Sequence, residues 1–251
     1  MKTEPLATTE AQELAANLLA LVDAPSRGES EERLLRRLTR VAVLVPGVEA
    51  AACSLAGPEG PLHTAASDER TRRLECLQVE SREGPCLDIT RGEGPLADIP
   101  MSHPHSRTRW PRFTSRVLSE GFTAVTALPL HHQERTLGAL DLYHQHGRLG
   151  SSGVRWARLL ADATAVGLAH RDVLRDALVR GDQLQTALNS RVVIEQAKGI
   201  LAERFDCDLQ EAFERLRGHA RTTRTKLSDL ATLIVSNPAD SPPFPRQRRA
   251  P

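Results

Sequence analysis

SRVVIEQAKGIL, residues 190–201, sets the reading of the C-terminal part of this 251-residue chain. Val193, Ala197, Ile200 and Leu201 recur at i, i+4, i+7 and i+8, which puts one apolar stripe along a helix. That helix closes near Arg204-Phe205. A second opens at Asp208-Leu209-Gln210-Glu211, where Asp takes the place that Ser or Thr usually holds in a capping box. Its apolar face is Leu209, Phe213, Leu216 and Ala220. A third starts around Thr225 and buries Leu227, Leu230, Ala231 and Ile234. Three short amphipathic helices make a small core, of the kind that often leans on a partner or a neighbouring domain.

The charges on the second helix carry the functional signal. From Ala212 to Lys226 there are four arginines, one lysine and His219 against one acid, Glu214. Arg217, Arg221 and Arg224 fall at i, i+4 and i+7, opposite the buried stripe, and form a basic ridge suited to phosphates. Arg191 and Lys198 share a face of the first helix, two turns apart. Most charge runs are only solvated surface, and acids elsewhere in this segment nearly cancel its charge. The residue pattern decides between the two. Residues 190–201, the Glu211-Ala212-Phe213 step, the Leu216-Arg217 pair and Lys226-Leu227-x-Asp229-Leu230-Ala231 resemble the ANTAR family in order and spacing.

The resemblance implies a three-helix RNA-binding domain. Members of that family bind small hairpins in nascent messenger RNA, prevent a terminator from forming, and commonly dimerise through the helix that enters the domain. Ala197, Lys198 and Gly199 match its signature. Lys198 is implied as a phosphate contact, and Ala197 and Gly199 as small residues that let RNA or another helix come close. Arg217 and Lys226 match common positions. The chain departs from the family at Thr222-Thr223-Arg224-Thr225, where Ser or Asn is frequent. These threonines beside Arg221 and Arg224 are suited to hydrogen-bond unstacked loop bases, the usual target of sequence-specific RNA recognition. The expected RNA-binding set is therefore Arg191, Ala197, Lys198, Gly199, Arg217, Arg221, Thr222, Arg224 and Lys226. Phe205 and Phe213 are assigned to the core.

Towards the N-terminus the helical stripe continues. Leu184, Leu188 and Val192 follow Leu159, Leu160, Ala163, Val166, Gly167, Leu174 and Leu178, which predicts a nearly continuous helix from about residue 154 to residue 202. Gly150-Ser151-Ser152-Gly153 opens it, and Gly181 interrupts it briefly. Before it, the texture is mixed. Residues 123–130 and 135–143 read as a strand pair joined by a hairpin loop, His131-His132-Gln133-Glu134. In the second strand Leu140 and Leu142 alternate with Asp141 and Tyr143, so one face should be buried and the other wet. Extended pieces at 48–56 and 61–66, a helix at 69–79, a tight turn at Glu83-Gly84-Pro85-Cys86, a strand at 95–99 and a helix at 111–120 precede the pair. Two helices lead the chain. The first carries Leu14, Leu18, Leu21 and Val22 and is broken by Pro25-Ser26-Arg27-Gly28; the second carries Leu34, Leu35, Leu38, Val41, Ala42 and Val45.

This element order, with the runs Glu83-Gly84-Pro85-Cys86-Leu87-Asp88, Arg109-Trp110-Pro111-Arg112-Phe113, Ala127-Leu128-Pro129-Leu130 and Leu137-Gly138-Ala139-Leu140-Asp141-Leu142, resembles a GAF domain. The expected fold class is α+β: a GAF-like antiparallel sheet flanked by helices, followed by an all-α three-helix bundle. The expected domains are a tail and helix at 1–30, a GAF-like sensor at 31–175, an ANTAR-like domain at 176–237 and a disordered tail at 238–251. GAF domains bind small molecules, chromophores or haem, or merely dimerise, so a small-molecule effector is expected without its identity. The asparagine-lysine/aspartate signature of cyclic-nucleotide binding is not recognisable.

Composition bounds the rest. Formal net charge is +1, so a nucleic-acid site must be a local patch. The polar, acidic N-terminus and the lack of a long apolar run predict a soluble cytoplasmic protein with no membrane partner. Cys53, Cys76, Cys86 and Cys207 form no C-x-x-C pair, and free thiols are the expectation. Cys86, after its Gly-Pro turn, is the candidate for ligand or redox sensing, against the simpler reading of a small buried hydrophobe. His103, His105, His131, His132, His144 and His146 have spacings that fit no standard metal site, and no metal is expected. No G-x-S-x-G, Walker, H-E-x-x-H or dinucleotide motif is present, so no catalytic residue is named. The expectation is a dimeric, signal-responsive RNA-binding antitermination regulator. Its rivals are a DNA-binding regulator, a thiol enzyme on the GAF fold and a pure interaction module.

Overall fold

The computed structural model describes residues 8–57, 60–146 and 148–237. The expected disordered tail lies outside them. The chain divides into two compact units, Met1–Leu174 and Arg175–Pro251. Among the described residues no helix is long and apolar enough to cross a membrane.

The first unit begins with α1 (Thr8–Asp23), a single 3-10 turn (Pro25–Arg27) and α2 (Glu31–Ala42). Gly28, at φ +69°, ends the turn where an L side chain would be strained. Ser30 then caps α2 by accepting the Arg33 N–H, and Glu31 and Glu32 complement the positive end of the helix. There follow β1 (Ala50–Gly57), β2 (Gly60–Ala66), α3 (Glu69–Ser81), α4 (Pro85–Thr90) and β3 (Leu96–Pro100). α5 (Pro104–Arg109), α6 (Pro111–Ser119), β4 (Ala124–His132) and β5 (Arg135–His144) complete the sheet and its covering. The strands form one antiparallel sheet in the order β2-β1-β5-β4-β3.

Both faces of that sheet are covered. Ala51, Cys53, Leu55, Leu128, Leu130, Leu140 and Leu142 pack with Leu34, Leu35 and Leu38 of α2, and with Ala157, Leu160 and Ala165 of the long helix α7 (Gly150–Phe205). On the other face Ala50, Ala52, Val125 and Tyr143 pack with Leu74 of α3 and with Trp110, Phe113 and Val117 beside or within α6. Cys86 and Ile89 of α4 pack against Ala127 and Ala139. The face of β5 that the alternation marks as wet is therefore buried: Asp141 is 1% and Tyr143 0% exposed. Helices α3 and α4 cover it, and α3 brings Glu75 to Tyr143 and Gln78 to Asp141.

Three further differences have local causes. Residues 83–86 are not a free turn, because Gly84, at φ +138°, starts α4 and Cys86 lies in that helix's first turn. His131 and His132 belong to β4, since Gln133-Glu134 alone make the hairpin turn and Gln133 takes φ +53°. Helix α7 begins at Gly150 and runs through Gly181 without a break, and on it Leu159, Val166, Leu174 and Leu178 are exposed, the buried stripe being Ala157, Leu160, Ala161, Ala165 and Leu168.

In the second unit the end of α7 packs with α8 (Leu209–Thr223) and α9 (Leu227–Ser236). Asp208 caps α8 by accepting the Glu211 N–H at 2.7 Å. Ala197, Leu201, Ala212, Leu216, Ala220, Leu230, Ala231 and Ile234 form the core. Leu209 is 54% exposed, and Ala212 fills the place expected for it.

Candidate nucleic-acid interface

The second unit sorts its basic residues into two groups. Arg215 and Lys198 are held by the fold. Arg215 pairs with Glu211 at 2.7 Å and lies over the Phe205 ring, with its side chain 13% exposed. Lys198 Nζ donates to both carboxylate oxygens of Glu195, at 2.8 and 3.0 Å, and lies 5.7 Å from the centre of the Phe213 ring. Its charge is neutralised on the surface of the bundle, so Lys198 is not an open phosphate contact as it stands.

The second group is open. Arg191, Arg217, Arg221, Arg224 and Lys226 are exposed, and no ion pair among the described residues engages them. Arg217 and Arg221 sit one turn apart on α8, away from Leu216 and Ala220. Arg224 departs from the expected i+7 position. It caps α8 in the left-handed conformation, φ +54°, with its N–H donating to the Ala220 and Arg221 carbonyls. The chain turns there, and Lys226 caps the start of α9. The basic feature is thus a corner between two helices, with Arg217 and Arg221 leading into it.

Thr222 and Thr223 donate their hydroxyl hydrogens to the Gly218 and His219 carbonyls, at 3.0 and 2.9 Å. Both oxygens keep lone pairs that can accept from a base amino group. Ala197 must be corrected as an RNA contact: it has no exposed surface and lies inside the core, where its small side chain lets α7 approach α8 and α9. Gly199 is exposed, and a Cβ built on it would meet nothing within 4 Å. The space it leaves open faces outward.

Cys86 lies elsewhere, in the first unit. It is 2% exposed, and burial pushes its thiol well above the usual range, with the Asp141 and Glu75 carboxylates adding to the effect. A redox-sensing thiol needs the reverse, an accessible group with a lowered pKa. Its surroundings include residues that sequence reasoning passed over. Glu75 and Gln78 of α3 are each 1% exposed, and Gln78 Oε1 accepts the Cys86 N–H at 2.9 Å. Polar residues on a short helix read as solvent-facing, so no signal singled them out.

The ANTAR domain family model matches residues 182–235. No curated protein matches the chain. Solved structures similar to it include the GAF domain of a phosphoenolpyruvate-protein phosphotransferase from Acinetobacter (12% identity, TM-score 0.47, covering 67% of this chain and 97% of that one). The corresponding GAF domain from Coxiella burnetii is 15% identical, with a TM-score of 0.43, and covers 64% and 98%. An N-acylhomoserine lactone-dependent LuxR-family transcription factor from Burkholderia cenocepacia is 15% identical, with a TM-score of 0.48, and covers 64% and 99%.

Proposed function

We propose that the ANTAR domain formed by residues 182–235 binds hairpins in nascent transcripts and prevents termination, and that residues 31–175, read as a GAF-like sensor, set when it does so. The domain itself is established by the family match; the RNA step is the part proposed. One observation carries it. Arg217, Arg221, Arg224 and Lys226 lead into the α8–α9 corner, exposed and without described ion pairs, while Lys198 and Arg215 are neutralised by Glu195 and Glu211. Unneutralised guanidinium groups beside hydroxyl acceptors suit a folded RNA, where phosphates supply affinity and unstacked loop bases supply choice. Arg191 and the open surface at Gly199 extend the contact along α7. The sensor domain takes a small-molecule effector in this reading, no catalytic step is needed, and the protein acts in the cytoplasm where transcripts are made.

The regulator acts as a dimer. Leu178, Leu184, Leu188 and Val192 of α7 are 75%, 72%, 57% and 49% exposed, an apolar run without a described partner that a second copy of the same helix can cover. Two RNA sites in one particle would then raise affinity for paired hairpins through effective concentration.

The test is binding of the full chain to a tandem-hairpin RNA, a loop-scrambled RNA and duplex DNA over a range of salt, with sedimentation in parallel. Loop-dependent binding is expected. Arg217→Ala and Arg221→Ala should each weaken it and lower the salt slope by roughly 0.7–0.9. Equal binding to all three nucleic acids, or a salt slope unmoved by both substitutions, would overturn the reading. A monomer at working concentration would overturn the dimer.

A further inference from the structure

The sheet face beneath α3 and α4 buries two carboxylates with no counter-charge. Glu75 Oε1 accepts from Tyr143 OH at 2.9 Å and from Gln78 Nε2 at 3.1 Å, and Glu75 Oε2 accepts from Ser54 Oγ at 3.3 Å. Gln78 Nε2 also donates to Asp141 Oδ2 at 2.7 Å. All of these donors are neutral. Asp141 Oδ1 is fully buried and has no hydrogen-bond partner. No Lys, Arg or His among the described residues pairs with either acid. Burial pushes both carboxyls upward, and the Glu75 charge adds to the effect at Asp141.

Cys86 stands on the same spot. One donor atom each from Glu75, Cys86 and Asp141 lie within 4.8 Å of one another, and all three residues are buried. We propose that Glu75, Asp141 and Cys86 form an enclosed binding site for a divalent transition metal of the zinc class. Three observations converge on it. The site lacks positive charge, which isolated buried carboxylates do not tolerate without a partner. The unpartnered Asp141 Oδ1 belongs to the group that closes on the same point. A sulfur donor beside two oxygens favours zinc-like ions over magnesium or calcium, which take oxygen alone. A proton shared between the carboxyls would remove one charge and leave the other without a counter-ion. With one carboxyl still protonated, a divalent ion balances the other carboxylate and the Cys86 thiolate, and it gives Asp141 Oδ1 its partner.

The surrounding residues fit a supporting shell. Tyr143, Gln78 and Ser54 orient Glu75, and Gln78 fixes the Cys86 backbone. An ion would sit about 2.0–2.3 Å from each donor, so modest side-chain rotations draw the triad onto it. Binding releases the Cys86 thiol proton to solvent, and the ion takes its place while one carboxyl keeps its proton. The site stands whether or not the second unit binds RNA.

The full-length chain, purified without an affinity tag, is stripped of metal and titrated with Zn²⁺ and, as a spectroscopic probe, Co²⁺. About one ion per chain should bind, with a near-ultraviolet thiolate-to-cobalt band and a rise in Tm on adding Zn²⁺. The band should vanish in Cys86→Ser and persist in Cys76→Ser and Cys207→Ser. Asp141→Asn and Glu75→Gln should lose the Zn²⁺-dependent rise in Tm while keeping the wild-type circular dichroism of the metal-free chain. A thiolate band that survives Cys86→Ser overturns the proposal. So does a folded wild-type chain that takes up neither ion, or one that is stabilised by Asp141→Asn with metal present.

Discussion

In the first unit, polar groups go inside. Ser54, Glu75, Gln78, Thr126, Asp141 and His144 are each 1% exposed or less, and every buried polar residue described lies in that unit. In the second unit, the described buried residues are apolar, four of the eight core members are alanines, and the arginines stand on the surface. A sheet covered on both faces has room for an interior hydrogen-bonded network, because two separate apolar layers already hold it together. Three short helices around alanines have no such reserve, so their polar chemistry must face solvent. The first unit therefore keeps its polar chemistry inside, and the second presents it to solvent.

The sharpest way to break this comparison is Leu216→Ala. Leu216 is the large, fully buried side chain of α8, and its loss should cost about 2–5 kcal/mol, which a small bundle does not survive. Both tryptophans, Trp110 and Trp156, lie in the first unit and report on it alone. Circular dichroism should lose its helical contribution from the bundle while the fluorescence transition in urea stays put. A shift of both would show that the two units share their stability.

Gly84→Ala should do the converse. Its Cβ would lie 2.2 Å from Gln78 Oε1, at a φ of +138° that L residues avoid. A loss of roughly 1–3 kcal/mol is expected, seen in the tryptophan transition, with RNA affinity unchanged.

A smaller effect concerns pH. His144 is fully buried, with Nδ1–H donating to the Gly47 carbonyl at 2.9 Å and Nε2 accepting from Thr126 at 3.1 Å. Burial holds its pKa below the ordinary 6.5. The unfolded chain therefore takes up the proton first. The stability this residue contributes is complete above pH 6.5 and is lost as pH falls from there through the lowered folded value, at up to about 1 kcal/mol per pH unit. His144→Gln should flatten that part of the stability curve relative to wild type; parallel curves would refute the assignment.

The smallest expected change is that of Glu195→Gln. It releases Lys198 from an exposed ion pair of about 0–1 kcal/mol. Stability should barely move, and RNA affinity should rise severalfold as the freed ammonium reaches phosphate. Unchanged affinity would remove Lys198 from the contact set.

The same contrast decides how much was legible in the sequence. The bundle could be read almost residue by residue, because its interior is apolar and follows the helical repeat. Its exceptions are Leu209, which points outward, Phe213, which is half-buried outside the core cluster with Lys198 over its ring, Ala197, which is buried rather than open to RNA, and Arg224, which the left-handed cap takes off the helix face. Strand order and the second sheet face were harder. Asp141 and Tyr143 alternate with leucines as wet residues would, but they face Glu75 and Gln78, and only the fold brings a helix some 60 residues earlier in the chain onto that face. The six-residue α5 carries no apolar stripe and gave no periodic signal. Lys198 matched its motif in sequence, but its pairing with Glu195 depends on rotamers that spacing does not specify.

The sheet's last strand has a consequence of its own. β3 lies at an edge, ends in Pro100 and loses register with β4 between Leu96 and Ile99, where Asp98 takes φ +50°. Asp98 also accepts the Leu149 N–H, so its carboxylate ties the edge back to the chain ahead of α7. An edge with a missing donor, a kink and an anchored acid is a poor template for another strand. At high concentration during synthesis, that end of the sheet should resist growing into a fibril.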